Sequence, residues 1–130
     1  GFNQGIEVVV LPNLYGDIVT DVAAEHSGGL GTACSSNIGN KYALFEAIHG
    51  TAPYLMSHGR GEYANPSSLI RAVGQMLIHI GLADRNAVLE EALDICTVTE
   101  RKVVLTTETK DASAAEFTDY LIDTIKTLQK

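Results

Sequence analysis

The sequence predicts an α/β fold, because apolar runs typical of strands alternate with runs typical of amphipathic helices. Residues 6–11 form an almost continuous β-branched run, as in a buried strand, and Pro12 and Asn13 end it. A helix is expected over residues 14–24, and apolar residues recur at helical spacing over residues 69–80. Strand followed by helix is the pattern of an α/β domain.

The next part of the chain predicts turns, one strand and a loop. Residues 28–31 contain three glycines and are predicted to form a turn. A polar segment of small residues follows through Asn40. Residues 42–48 alternate well enough for a second strand. Residues 51–65 are predicted to form a long loop, and loops of that length inside compact domains are usually functional or mobile.

Three helices are expected after the loop. Asn65 and Pro66 can begin the helix over residues 69–80, which Gly81 ends. Asp84 is the predicted N-cap of a helix that continues to residue 97, and residues 103–106 are expected to form a short strand. Ser113 with Glu116 three residues later predicts a capping box before a final amphipathic helix.

Size and charge limit the kind of protein. The 130 residues are 45% hydrophobic, enough for one core, and contain no apolar run long enough to span a membrane. A formal net charge of −7 with scattered basic residues argues against a nucleic-acid partner. Cys34 and Cys96 lack metal-type spacing and are expected to be core residues in a reducing compartment.

Asp17 and Asp21 form the first candidate site. They are four residues apart in an otherwise apolar helix, so both carboxylates project from one face and can share a hard cation. The alternative is that Asp17 only stabilises the start of the helix, where free amides and the macrodipole favour a carboxylate.

Four further motifs carry a family resemblance. They are Gly-Gly-Leu-Gly at 28–31, Ser-Asn-Ile-Gly at 36–39, Phe-Glu-Ala-Ile-His-Gly-Thr-Ala-Pro at 45–53 and Ala-Asn-Pro at 64–66. In this order they resemble the C-terminal third of the β-decarboxylating dehydrogenases, the isocitrate and 3-isopropylmalate dehydrogenase family. Thr51 resembles the isocitrate branch, since the isopropylmalate branch more often has Ser there.

The resemblance implies that residues 1–130 are a single partial domain, the C-terminal fragment of an isocitrate/isopropylmalate dehydrogenase-like fold. Gly1 is then an internal break or a truncated start, with any targeting segment upstream. The implied reaction oxidises a 2-hydroxy acid, isocitrate, with NAD and then removes a carboxyl group. A non-catalytic or regulatory nucleotide-binding subunit is one alternative, and 3-isopropylmalate or tartrate dehydrogenase activity is another.

The resemblance also assigns site residues. Asp17 and Asp21 match the family's paired metal aspartates, which bind Mg or Mn; a third metal carboxylate normally comes from upstream sequence. The family's substrate-binding arginines and its proton-transferring tyrosine and lysine also lie upstream. We therefore name no catalytic residue and expect the chain alone to be inactive.

The adenosine-binding loop of the family matches His49, Gly50, Thr51, Ala52 and Pro53. Asn65 has the position that meets the adenine edge, and Glu46 is assigned to the nicotinamide side. On residue type alone, His49 would be a surface or core histidine. Glu46 would be a solvated carboxylate at a strand end.

The resemblance predicts NAD rather than NADP. Bacterial NADP enzymes of the family place Lys and Tyr after the loop proline, whereas this chain has Tyr54 and Leu55, which offer no cation to a 2′-phosphate. Arg60 remains a candidate for such a contact. The family also implies a homo-oligomer, a dimer or larger. The net charge and the lack of a long apolar run predict no nucleic-acid or membrane partner. The expected location is the cytoplasm, or the mitochondrial matrix in a eukaryote.

Overall fold

A computed structural model describes residues 8–26, 32–106 and 112–129. Five helices and one two-stranded sheet make up the regular structure of these residues: α1 (Asn13–His26), β1 (Cys34–Ile38), β2 (Ala43–Ala47), α2 (Pro53–Ser57), α3 (Ser67–His79), α4 (Ala83–Asp94) and α5 (Ala114–Leu128). A 3₁₀ turn covers Gly61–Tyr63 and a π-helical turn covers Ile95–Thr99. The combination of helices with a sheet confirms the predicted α/β class.

The sheet is an antiparallel hairpin. Its register pairs Cys34 with Ala47 at one end and Ile38 with Ala43 at the other. One face of β2 packs toward α3, where the ring of Phe45 lies 5.5 Å from the ring of His79, centroid to centroid. The opposite face carries the even-numbered residues of β2. The hairpin therefore has one packed face and one open face.

The end of α3 agrees with the sequence prediction, whereas at its start Pro66 has the cap position predicted for Asn65. The Asn65 side-chain oxygen accepts a hydrogen bond from the Ser67 backbone N–H at 2.9 Å, which satisfies one of the unpaired amides at the helix start. Gly81 follows the last turn with a φ of +84°, a left-handed conformation that favours glycine. Asn65 thus marks the start of the helix and Gly81 its end.

Close packing joins α3 to α4. Gly74 of α3 faces Asn86 of α4 so closely that a Cβ on Gly74 would overlap the Asn86 side-chain oxygen. The predicted N-cap role of Asp84 is wrong, because α4 begins at Ala83 and its cap position is Leu82. Asp84 instead lies in the first turn, where its charge still suits the helix dipole.

The core lies between the end of α4, the π-helical turn and α5. Its buried side chains are those of Ala92, Leu93, Cys96, Phe117 and Leu121. The predicted capping box of α5 is present: Ser113 N–H donates to Glu116 at 2.7 Å, and Glu116 N–H donates to the Ser113 hydroxyl at 3.3 Å. Hydrogen bonds from the Ser113 backbone and hydroxyl hold the pKa of Glu116 below its usual range.

The two cysteines differ in environment. Cys96 is fully buried in the core, as predicted, whereas Cys34 is only half-buried at the start of β1. Burial raises the pKa of the Cys34 thiol, which the positive charge of Arg71 partly offsets. Cys34 is therefore poorly suited to act as a thiolate nucleophile.

Several predicted elements are wrong. The predicted strand covers residues 6–11, of which residues 6 and 7 lie outside the described residues. Residues 8–11 do not form a strand, since no other described segment pairs with them, and their side chains are exposed. The polar segment before Asn40 contains β1, which pairs with β2 despite its small side chains. The predicted loop over residues 51–65 contains α2 and the 3₁₀ turn, and residues 103–106 are not a strand. The glycine turn at residues 28–31 lies outside the described residues.

The length and polarity of the helices bear on membrane insertion. None of the helices within residues 8–26, 32–106 and 112–129 is long and apolar enough to cross a bilayer.

Replacing Leu93 tests the position of the core. Leu93 is fully buried, so Leu93→Ala is expected to lower the free energy of unfolding by about 2–5 kcal/mol, through lost transfer free energy and a residual cavity. Leu69→Ala is the matched control, because Leu69 is 58% exposed on α3. Urea denaturation followed by circular dichroism measures both. Equal losses in the two variants would contradict this assignment of the core.

Candidate functional site

Helix α1 presents the aspartate pair. Asp17 and Asp21 lie one turn apart on it, and no acidic residue lies in its first turn. The alternative role of Asp17 in stabilising the helix start is therefore not supported. Between them, the Thr20 hydroxyl donates to the backbone oxygen of Gly16 at 2.8 Å, so it is engaged by its own helix.

One cavity of about 450 Å³ brings α1 and the hairpin together. Most of the predicted site residues line it: Asp17 and Asp21 from α1, and Glu46, His49 and Gly50 from the end of β2 and the segment after it. The residues that sequence reasoning missed here are Thr20, Ser35, Ala47 and Ile48. The metal and cofactor predictions, made from separate motifs, thus converge on one place.

The open face of the hairpin forms the cavity wall opposite α1. Glu46 lies directly across from Ser35 in the register of the sheet. The Asn37 side-chain amide donates to Glu46 Oε1 at 3.0 Å. Since a carboxylate has no proton to donate, the amide nitrogen of Asn37 must face it. The alternation of β1 would have indicated Ser35 and Asn37, had the strand been recognised.

The loop after β2 holds His49 at the cavity edge. Its Nδ1 lies 3.0 Å from the Gly50 carbonyl oxygen, which only accepts, so Nδ1 carries the proton in this contact. Nε2 remains for a ligand. Ala52 follows with a φ of +47°, and Pro53 begins α2. Thr51, Ala52 and Pro53 are exposed and do not line the cavity.

Asn65 is not brought to this cavity. Its side-chain oxygen accepts from the Ser67 N–H at the start of α3, and the residue lines a second, smaller cavity of about 180 Å³ together with Arg71 and Phe117. The structure therefore separates Asn65 from the other predicted cofactor residues.

Helix α2 contains Tyr54 and Leu55, the residues at the positions from which the prediction of NAD was made. The rings of Tyr54 and His58 lie 4.2 Å apart, centroid to centroid, with an interplanar angle of 34°. His58 Nδ1 lies 2.8 Å from the Tyr54 carbonyl oxygen, one helical turn back. The prediction of a loop over residues 51–65 indicated neither this helix nor the paired rings.

The donor atoms at the cavity suit part of a metal site. Carboxylate oxygens are ligands that Mg²⁺ and Mn²⁺ prefer, and Asp17 and Asp21 offer them from one helix face. Over the stretches of chain that the structure describes, no three His, Cys, Asp or Glu side chains are placed to hold a metal ion together. The pair therefore fits a site that takes its remaining oxygen ligands from water, substrate or another part of the protein.

The cavity has a negative electrostatic character. Asp17, Asp21 and Glu46 line it, whereas no Lys or Arg is among its lining residues within the described ranges. Carboxylates gathered at a partly enclosed surface attract cations and repel anions. The arrangement therefore favours a cation or a cationic ring as ligand.

Comparison with known proteins agrees with the resemblance. The family model described as isocitrate/isopropylmalate dehydrogenase matches residues 3–125. An NADP isocitrate dehydrogenase of Rickettsia typhi is 51% identical over 86 residues, which is 66% of this chain and 17% of the relative. A mitochondrial protein of Dictyostelium discoideum, named as a regulatory part of NAD isocitrate dehydrogenase, is 44% identical over 121 residues, covering 92% of this chain and 33% of the relative.

A solved structure is similar as well. The crystal structure of isocitrate dehydrogenase from Methylococcus capsulatus matches with a TM-score of 0.76 and 36% identity, over 87% of this chain and 33% of that one. This chain thus spans a third or less of the length of these relatives. The family model covers nearly all of the sequence, and the chain belongs to the isocitrate/isopropylmalate dehydrogenase family.

Proposed function

We propose that this chain is the C-terminal part of an enzyme that oxidatively decarboxylates isocitrate to 2-oxoglutarate with NAD and Mg or Mn. The observation that carries the proposal is the cavity that joins Asp17 and Asp21 of α1 to Glu46 and His49 of the hairpin side. Relatives named isocitrate dehydrogenase support the substrate.

The reaction has two steps, and the cavity residues supply some of the groups that these steps need. The proposed reaction would move a hydride from the hydroxyl-bearing carbon to a bound nicotinamide and the hydroxyl proton to a base. Cleavage of the bond to the β-carboxyl would then release carbon dioxide and leave a carbanion to be protonated. A divalent cation, when bound, supplies Lewis acidity to the substrate oxygens. Asp17 and Asp21 would hold the cation, and Glu46, His49 and Gly50 would border the cofactor. Cationic side chains for the substrate carboxylates are expected from the rest of the protein.

NAD is the proposed cofactor. The 2′-phosphate of NADP carries nearly two negative charges and needs an Arg or Lys clamp, whereas the residues after Pro53 are Tyr54 and Leu55. Relatives with NAD and with NADP in their names both match, so the proposal rests on these residues rather than on the comparisons.

A regulatory role is the second candidate. The relative from Dictyostelium discoideum, 44% identical over 92% of this chain, carries that role in its name. A regulatory chain that does not catalyse has no need of a metal pair, so the presence of both Asp17 and Asp21 on one open face favours the catalytic alternative.

We also propose that the protein is a homo-oligomer, a dimer or larger. Helix α1 exposes a stripe of large apolar side chains, each between 47% and 65% exposed: Leu14, Tyr15, Ile18, Val19 and Val22. Exposed apolar stripes of this kind mark contact surfaces. Because the aspartate pair borders the stripe on the same helix, a second copy of the chain seated there would lie beside the candidate cavity.

Replacing Asp21 tests the metal assignment. In the full-length protein, Asp21→Asn is expected to lower kcat on the order of 100-fold while the dissociation constant for NAD stays nearly unchanged, because the amide is a weaker ligand for a hard cation. Asp119→Asn is the control, since Asp119 is exposed on α5 away from the cavity. Turnover of isocitrate with Mg or Mn measures the effect. Activity that survives Asp21→Asn would show that the metal assignment is wrong.

Replacing Tyr54 tests cofactor choice. The full-length protein is expected to favour NAD, Tyr54→Asp to widen that preference and Tyr54→Lys to narrow or invert it, each by about tenfold or more. Tyr42→Lys serves as control, because Tyr42 is an exposed tyrosine in the hairpin turn. The ratio of kcat/KM for NAD and NADP is the measurement. A wild type that prefers NADP and loses this preference in Arg60→Ala would contradict the assignment.

Light scattering tests the oligomer. At micromolar concentration, the chain is expected to have a mean mass above the 13.9 kDa of a monomer. Val22→Lys places a charge in the apolar stripe and is expected to lower that mass, whereas Ile38→Lys, at the exposed end of β1, is not. A monodisperse wild-type monomer that unfolds cooperatively would refute the proposal.

A further inference from the structure

Asn37 and Glu46 form a diagonal pair on the open face of the hairpin. Asn37 pairs with Leu44 in the register, and Glu46 pairs with Ser35, so the two side chains lie on the same face two residues out of register. Long side chains reach such diagonal neighbours in antiparallel sheets. The 3.0 Å bond from the Asn37 amide to Glu46 Oε1 is therefore a consequence of the strand pairing.

The bond restricts a side chain that would otherwise be free to move. Glu46 is exposed, and a glutamate that makes no contact samples many rotamers, so a ligand that requires one of them loses affinity. The bond uses Oε1 alone, and Oε2 has no hydrogen-bond partner in the described part of the chain. Asn37 thus orients the carboxylate and leaves one oxygen for the cavity.

The orientation has an electrostatic consequence for a nicotinamide cofactor. The oxidised nicotinamide ring carries a positive charge, which hydride addition removes. A carboxylate held toward the cavity attracts the oxidised ring and gains nothing from the reduced one. Asp17 and Asp21 add negative charge to the same cavity, although a bound divalent cation would offset theirs. Glu46 is then the carboxylate whose charge acts on the ring.

We propose that Asn37 is a positioning residue that holds the Glu46 carboxylate so that the cavity prefers the oxidised cofactor to the reduced one. This inference rests on the proposed function, because it requires a nicotinamide in this cavity. It concerns Asn37 itself, which does not line the cavity and acts only through Glu46.

The test compares the affinities of the two cofactor forms. In the full-length protein, titration calorimetry gives the dissociation constants of NAD and NADH for wild type, Asn37→Ala, Glu46→Gln and the double variant. Asn37→Ala is expected to lower the ratio of the NADH dissociation constant to the NAD dissociation constant by about threefold to tenfold, the net effect of one typical hydrogen bond. Ser36→Ala is the control, since Ser36 neighbours Asn37 on β1 but faces the other side of the sheet.

The double variant separates positioning from a general structural role. If Asn37 acts through Glu46, Asn37→Ala has no further effect on the ratio once Glu46→Gln is present. Equal weakening of NAD and NADH by Asn37→Ala, or an unchanged ratio, would overturn the inference and leave the proposed function intact. A wild type that bound neither NAD nor NADH would overturn both the inference and the proposed function, and the wild-type titration alone would reveal it.

Discussion

The antiparallel pairing of β1 with β2 determines which side chains reach the candidate site. Successive residues of a strand point to opposite faces, so the register that pairs Ser35 with Glu46 turns Phe45 toward α3 and Glu46 toward α1. A slip of one residue would exchange these faces and place an aromatic ring in the cavity. The packing of Phe45 beside His79 therefore also keeps a carboxylate opposite the aspartate pair.

The helical part of the chain supports this hairpin from one side. Helix α3 contacts both strands and α4, and α4 leads through the π-helical turn into the core with α5. The close approach at Gly74 brings α3 and α4 together where any Cβ would meet the Asn86 side chain. Helix α3 therefore supports the hairpin side of the site and is held in place by its packing on α4. None of the core residues lines the cavity.

Sequence reasoning succeeded where one local signal decided the structure. The helices α1, α3 and α5 follow from their periodicity, and Asn65, Gly81 and the Ser113–Glu116 box mark their ends. The prediction was wrong where the structure depends on pairing with a distant segment. Strand β1 has few residues that favour strands, but it is paired with β2. Residues 8–11 favour a strand by composition, but no described segment pairs with them.

In the candidate site too, some residues follow from a local pattern and others depend on pairing with another segment. The spacing of Asp17 and Asp21 and the motif from Glu46 to Pro53 identified most of the residues that line the cavity. Ser35 and Asn37 were missed because their contribution depends on strand pairing. Asn65 was assigned to the cofactor as well as to the helix start, and the structure uses its side chain for the helix start.

A two-stranded hairpin is marginally stable by itself, and here its open face receives no packing from the core. The hairpin and α1 are therefore expected to open locally at a lower free-energy cost than α4 and α5. A ligand that bridges α1 and the hairpin would raise that cost, since it binds only the closed arrangement. Ligand binding in the cavity and the local opening of α1 and the hairpin are therefore linked, so a change in one changes the other.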